Sequence, residues 1–321
     1  GVLVDPDAMR TGDLMLVGNG PEWISTAGGD QIVYTKYVPG GPHILRNARL
    51  ALAQQAPDGG WSHDLLSPLR PRDAPYASHN ADDPAPAISY VDPYDNHYWR
   101  NLDDASSEMP VPQYPASPRS LRFVEGARAA VFTAPVDGIS QIFLYWLDSQ
   151  STEQLTFDDG QKDLHSVPWA WRAPEFGGDL VVSTVVDDTE LRMYRQPGGQ
   201  GDDPGDDGWT LVDSMRTPQG GVMNSPEPFV HNGESYVFFS VGIPPDTDPT
   251  AVFLANIDAS QPVLVQLTPN LPRRIRRDPE VFVANDGPYI YYNRLTIDGN
   301  PFCMPCNEGV YRTYTGLPPA R

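Results

Sequence analysis

Cationic residues are scarce in this chain of 321 residues: lysine and arginine together number 22, against 42 aspartates and glutamates. At a formal charge of −20 the chain lacks the basic footprint that nucleic acid or an acidic membrane surface requires, which argues against both as partners. Cysteine is scarcer still, with only Cys303 and Cys306 present as a lone CxxC. A zinc site of four protein ligands would need a second pair, and a thioredoxin-like redox site would need a βαβ setting that is missing here. A local disulfide stapling a loop is the preferred reading, and it mildly favours a secreted or periplasmic protein. No apolar run approaches the length that spans a bilayer. No signal peptide is evident, and the chain begins at Gly1 without methionine, which fits a processed protein and leaves the compartment open. Also absent is any long apolar stripe of period 3.6, so no helical layer is expected.

What is there is turn-forming and β-forming. Proline (35) and glycine (28) lie between β-like runs, and a hydrophobic content of 40% suffices for a sizeable core. The run "SPEPFVHNGESYVFFS" at Ser225–Ser240 holds a Pro-Glu pair, a short apolar stretch, a Gly turn and alternating aromatics. The same order returns in "GPEWISTAGGDQIVYT" (Gly20–Thr35), "APEFGGDLVVST" (Ala173–Thr184) and "DPEVFVANDGPYIYYN" (Asp278–Asn293). A fifth copy, "RFVEGARAAVFT" (Arg122–Thr133), keeps the turn and strand without the Pro-Glu. The last three Pro-Glu pairs, at 174, 226 and 279, stand 52 and 53 residues apart, and each unit carries about four strand-like runs. Tandem four-stranded units of about 40–50 residues are the signature of a β-propeller. The expectation is a single all-β domain over residues 1–321, a five-bladed β-propeller. Its last blade would be closed by the N-terminal run Asp13–Val17, protecting open sheet edges.

The stretch "EQLTFDDGQKD" followed by "APEFGGDLVVSTVVDDTELRMYR" resembles the TolB-type propeller repeat. "APEF…LVVST" and "DPEVFVANDGPYIYYN" are similar to the inner strands of five-bladed glycoside hydrolases of the arabinanase and β-xylosidase (family 43-like) kind. That second resemblance implies hydrolysis of a glycosidic bond in a polysaccharide or oligosaccharide by carboxylates at the starts of innermost strands. On this analogy Glu22 would be base or nucleophile and Glu175 the acid. The likeness covers most of the chain as architecture, through motifs of only two or three residues. Those families carry further aspartates on blades 1 and 2, whereas here the Asp-Pro is at Asp278 and blade 2 offers Arg122.

Blade topology brings the start of each inner strand to the mouth of a central funnel. Glu22, Glu175, Glu227 and Glu280, with Asp278 close by, are therefore the candidate catalytic carboxylates. Crowded like charges raise one another's pKa, which suits acid–base chemistry. The competing reading is scaffold, because a repeated residue more often caps backbone or ties blades together. Candidate substrate contacts are Arg122, then Trp169, Trp171 and Arg172 in "HSVPWAWRAPE", and Arg277 in "PNLPRRIRRDPE". Tryptophans beside carboxylates suit stacking on a sugar ring, and arginines suit a uronate. The interval between blades 1 and 2 is about twice a repeat. Its excess, residues 67–117, is expected to be a lid contributing Tyr94, His97 and Trp99.

No cofactor is expected. The six histidines show no close-spaced metal pair, and "DDPGDD" at Asp202–Asp207 lacks the pattern of a calcium loop. A structural metal in the central channel stays open. The expected partner is a carbohydrate, with no nucleic acid and no membrane span, and the protein is expected to be a monomer. Two alternatives stand beside the hydrolase. One is a uronate polysaccharide lyase using Arg122, Arg172 and Arg277. The other is a non-catalytic propeller that binds sugar or protein.

Overall fold

A computed structural model of the chain describes residues 21–320 apart from 27–28, 39–44, 57, 79–82, 95, 112–118, 159–164, 197–208, 258–262 and 298–305. Among the described residues there are 23 strands in six antiparallel sheets, each a meander of consecutive strands. Blade 1 holds β1 (Glu22–Thr26), β2 (Gly29–Tyr37), β3 (Ala48–Gln55) and β4 (Trp61–Leu65). Blade 2 holds β5 (Asp73–Ala77), β6 (Ala87–Val91), β7 (His97–Asn101) and β8 (Met109–Pro110). Blade 3 is β9 (Arg119–Phe123), β10 (Ala129–Val136), β11 (Ile139–Trp146) and β12 (Ser151–Gln154). Blade 4 is β13 (His165–Ala173), β14 (Asp179–Val186), β15 (Glu190–Gln196) and β16 (Thr210–Arg216). Blade 5 follows with β17 (Val222–His231), β18 (Glu234–Gly242), β19 (Ala251–Asn256) and β20 (Leu264–Gln266). Blade 6 has three described strands, β21 (Arg274–Ala284), β22 (Gly287–Thr296) and β23 (Cys306–Tyr314).

The all-β propeller expectation holds, and its blade count is corrected from five to six. The extra blade comes from the stretch expected to be an insertion. Residues 73–110 form a sheet of their own, built on alternation in "AISYV" and "HYWRN" that the neighbouring Pro- and Asp-rich segments disguise. The Asp13–Val17 run expected to close the last blade lies outside the described residues, as does "DDPGDD". Cys306 is disulfide-bonded. Cys303, the other cysteine of the chain, lies outside the described residues.

Within a blade the sequence grades from buried to wet. Middle strands such as β10 (AAVFTAPV) and β14 (DLVVSTVV) are buried over most of their length, as β-branched and aromatic runs between two neighbours should be. Outer strands such as β4 (WSHDL) and β20 are exposed, and in β4 polar, which discourages edge-to-edge pairing. Tight hairpins use Asp137-Gly138 between β10 and β11 and Asn232-Gly233 between β17 and β18. All four residues have φ between 50° and 85°, the left-handed pair that a type I′ turn demands.

The chain divides into two compact units, one comprising residues 1–136 with 143–153 and the other residues 137–142 with 154–321. In the first, Ile24, Leu50, Ile88 and Tyr90 pack blade 1 on blade 2, and Trp99, Phe123, Phe132 and Phe143 pack blade 2 on blade 3. In the second, Trp171, Val181, Phe239 and Phe253 join blades 4 and 5, and Phe229, Phe238, Ile290 and Tyr292 join blades 5 and 6. The first strand of each blade lies beside the first strand of the next within its unit: β1, β5 and β9 in one, β13, β17 and β21 in the other.

Candidate functional site

One backbone device recurs in the first strands. Ala74, Val167, Ser225 and Asp278 all have φ between 46° and 50°, and a proline follows each. A residue before proline normally takes extended backbone, and a non-glycine at positive φ is uncommon, so this is a built bulge. Ladder register shifts at the same points, between Asp73 and Tyr76, Ser166 and Trp169, Asn224 and Glu227, and Arg277 and Glu280. Blade 3 shifts register between Arg119 and Arg122 without a proline, and in blade 1 Pro21 precedes the start of β1. The first residues after this point are equivalent across the blades: Glu22, Tyr76, Arg122, Trp169, Glu227 and Glu280. They oppose Val33, Ser89, Val131, Ser183, Phe238 and Tyr291 in turn.

None of these six side chains is buried, although the prolines at 75, 168, 226 and 279 are. A bulge therefore hides the proline and turns the next side chain outward, the re-aiming that bulges supply. In the first unit the Arg122 guanidinium lies over the Tyr76 ring, 5.3 Å from its centroid. In the second unit adjacent strands present Trp169, Glu227 and Glu280 at one register level.

Glu280 is the electrostatically distinctive member. Removal from water, and secondly the Asp278 carboxylate, push its pKa up to about 7. Its side chain nonetheless keeps solvent-exposed surface, so it stands among protein atoms with water in front. Removal from water and a neighbouring carboxylate both disfavour the charged form. Arg277, one residue away from Asp278, turns to Asp248 at 3.4 Å. Arg274 joins Arg294 on Glu308. Arg276 is buried against the carbonyls of Thr250 and Pro269. Arg274, Arg276 and Arg277 are thus engaged elsewhere, and among the described residues neither Asp278 nor Glu280 has a cationic partner.

Glu175 occupies a different place from its expected counterparts. It sits in a short 3-10 turn, Pro174–Phe176, between β13 and β14, not at the start of an inner strand. Its carboxylate accepts from the backbone N–H and the Oγ–H of Ser235, both at 2.9 Å. Ser235 Oγ in turn accepts from Trp171 Nε1 at 2.9 Å. Blades 4 and 5 are tied by this clamp, so the Glu175 carboxylate does scaffold work. Trp171 is 1% exposed and Trp99 6%. Both are core residues, and Trp99 donates to the Tyr145 hydroxyl at 3.4 Å; neither offers a ring face for stacking. Arg172 donates to the carbonyl of Gly178. His97 opens β7, half-buried, and Tyr94 is 85% exposed on the β6–β7 turn. Tyr76 escaped the sequence reading. The recurring x-Pro-x of "GPE", "APY", "VPW", "SPE" and "DPE" is the signal that finds it, and it replaces Glu175 by Trp169 as the blade 4 equivalent.

Among the described residues no group of three or more His, Cys, Asp or Glu is arranged to hold a metal ion, and no helix is long and apolar enough to cross a membrane.

Solved structures of propellers are similar to this chain. The Dos1 propeller matches with a TM-score of 0.53 at 8% identity, over 93% of this chain and 69% of its own. The Cps50 (Swd1) β-propeller domain of Myceliophteria thermophila matches with a TM-score of 0.52 at 9% identity, over 86% and 79%. TolB from Acinetobacter baumannii matches with a TM-score of 0.47 at 15% identity, over 91% of this chain, which spans 65% of that protein. No protein-family model and no curated protein matches the chain. The fold is a six-bladed β-propeller. The resemblance to five-bladed glycoside hydrolases is corrected by the blade count and by the likeness to the Dos1 and Cps50 propellers.

Proposed function

We propose that the protein is a binding propeller whose acidic, aromatic-flanked first-strand surface in blades 4–6 takes a cationic group, such as a lysine or arginine side chain of a peptide. The observation that carries this reading is the Asp278–Glu280 pair, two like charges without a cationic partner among the described residues. Such a pair is relieved when a cation arrives, so binding recovers energy that the free protein stores as repulsion. Glu227 on the adjacent strand adds charge, and Trp169 adds an aromatic ring on which a guanidinium can rest. The disulfide at Cys306 supports an exported location as part of the same proposal.

Matched fluorescent peptides, one rich in Lys and Arg and one rich in Asp and Glu, test the reading by anisotropy. The basic peptide binds, the acidic one does not, and Glu227→Gln with Glu280→Gln weakens binding at least tenfold. Equal affinity for both peptides, or no change in the double variant, would refute it.

One observation favours a second reading. A carboxyl with a pKa near 7 suits a general acid at neutral pH, so Glu280 with Glu227 forms a candidate pair for hydrolysing a glycosidic bond of a polysaccharide. Release of reducing ends from arabinans, xylans or uronate polymers, lost in Glu280→Gln and retained in Glu175→Gln, would select this reading over the first.

A further inference from the structure

The first unit carries a site of the opposite sign. A cavity of about 830 Å³ is lined by Arg46, Arg70, Arg72, Asp92 and Tyr94, a volume within the range of small-molecule sites. Three short connections build it. Arg46 comes from the 3-10 turn Leu45–Asn47 before β3, Arg70 and Arg72 from the link between β4 and β5, and Asp92 and Tyr94 from the β6–β7 turn. Three guanidinium groups on one cavity are notable in a chain of charge −20.

The arginines are held, and two of them share a single carboxylate. Arg72, 6% exposed, is clamped with its guanidinium 4.5 Å from the Tyr98 ring centroid. It donates to both Glu108 oxygens and to the carbonyl of Pro71, which uses three of the five N–H donors of a guanidinium. Arg70 shares the same carboxylate at 3.3 Å, and the Tyr90 hydroxyl donates to it at 2.7 Å. One carboxylate thus serves two cations. Arg46 is exposed and its side chain has no carboxylate partner among the described residues. The Asp92 carboxylate is committed to its own turn, accepting from the backbone N–H groups of Tyr94 and Asn96 and from Asn96 Nδ2. Arg49, which does not line the cavity, spends its guanidinium on the carbonyls of Arg46, Ala48 and Pro68.

We infer that this cavity binds a small oxyanionic ligand, with Arg46, Arg70 and Arg72 holding a carboxylate or phosphate group. Arginine forks are suited to either oxyanion, and a buried, pre-oriented guanidinium loses little entropy on forming the contact. The exposed ring of Tyr94 offers a face for the body of the ligand, so a sugar acid or sugar phosphate fits both chemistry and volume. The surface of blades 4–6 attracts the opposite charge, and neither site depends on the other.

Isothermal titration with glucuronate, glucose 6-phosphate and uncharged glucose tests the inference on the full chain. Binding of either anion, absence of glucose binding, and at least a tenfold loss in Arg46→Ala with Arg70→Ala support it; the anion that binds identifies the group recognised. Both substituted side chains are exposed, and an unchanged thermal melt verifies folding. Glu280→Gln leaves this binding unaltered, which separates it from the peptide site. Failure of both anions to bind, or equal binding by the double variant, overturns it.

Discussion

Glu280 and Asp278 stand two residues apart across a bulged proline, and their mutual repulsion has a consequence for stability. A carboxyl whose pKa is raised on folding binds protons more tightly in the native state than in the unfolded one. Stability from this group is therefore intact below the unfolded value near 4.5 and declines as pH rises towards about 7. Glu280→Gln removes that decline. The variant is expected to melt higher than the parent at pH 8, by about 1 kcal/mol once the solvent exposure of the group is discounted. At pH 4.5 the two should melt alike. Urea titrations at both pH values measure the difference, and a variant less stable at pH 8 would mean that the carboxylate is compensated. Glu108 shows the reverse sign. Burial pushes its pKa up, but the hydrogen bonds from Arg72 and Tyr90 outweigh burial and hold it below the ordinary carboxylate range. Its contribution is complete above the unfolded value and is lost as pH falls through the lowered one. Glu108→Gln strands the buried Arg72 and is expected to cost about 3 kcal/mol at pH 7, with the difference shrinking in acid. A denaturant series from pH 7 down to pH 3 checks both halves of that expectation.

Between elements, the clamp of Glu175, Ser235 and Trp171 does what a repeated glutamate was expected to do elsewhere. Ser235→Ala deletes one donor to the carboxylate and the acceptor of the indole N–H, leaving Trp171 Nε1 buried without its partner. A loss of roughly 2 kcal/mol follows, read as a lower denaturation midpoint with an unchanged slope and unchanged peptide affinity. This clamp also explains why the site was only half legible in the sequence. Glu22, Glu227 and Glu280 share one register position, each directly after a proline and four residues before the last paired residue of its strand. Glu175 shares the Pro-Glu letters but belongs to a hairpin turn, where the same dipeptide opens a 3-10 turn. Arg122 was placed at the equivalent position from its turn alone. Tyr76 stayed hidden because "APY" carries no glutamate, and with it the whole of blade 2 read as an excursion. Trp171 looked like a stacking platform and Trp99 like part of a lid, since a single sequence does not tell which face of a strand is buried.

At the scale of the molecule, blades 2 to 6 share a register shift in the first strand and differ in the side chain it presents. The shift before the equivalent position is scaffold. The side chain that follows is free to vary, and it runs through glutamate, tyrosine, arginine and tryptophan without disturbing the ladder. Acidic and aromatic groups gather in blades 4–6, and arginines line a cavity between blades 1 and 2. The formal charge of −20 adds a long-range attraction for cationic partners that salt screens. Basic-peptide binding should therefore weaken between 50 and 500 mM salt, roughly in the way screened attraction does.

The most direct test is the pH dependence of affinity for a lysine-rich peptide, measured by calorimetry from pH 5.5 to 8.5 at fixed ionic strength. If the carboxylates of blades 4–6 hold the cation, affinity rises through pH 7 as Glu280 ionises, and Glu280→Gln gives a flat, weaker profile. A profile that is flat in the parent protein, or one that rises equally in the variant, would contradict the account.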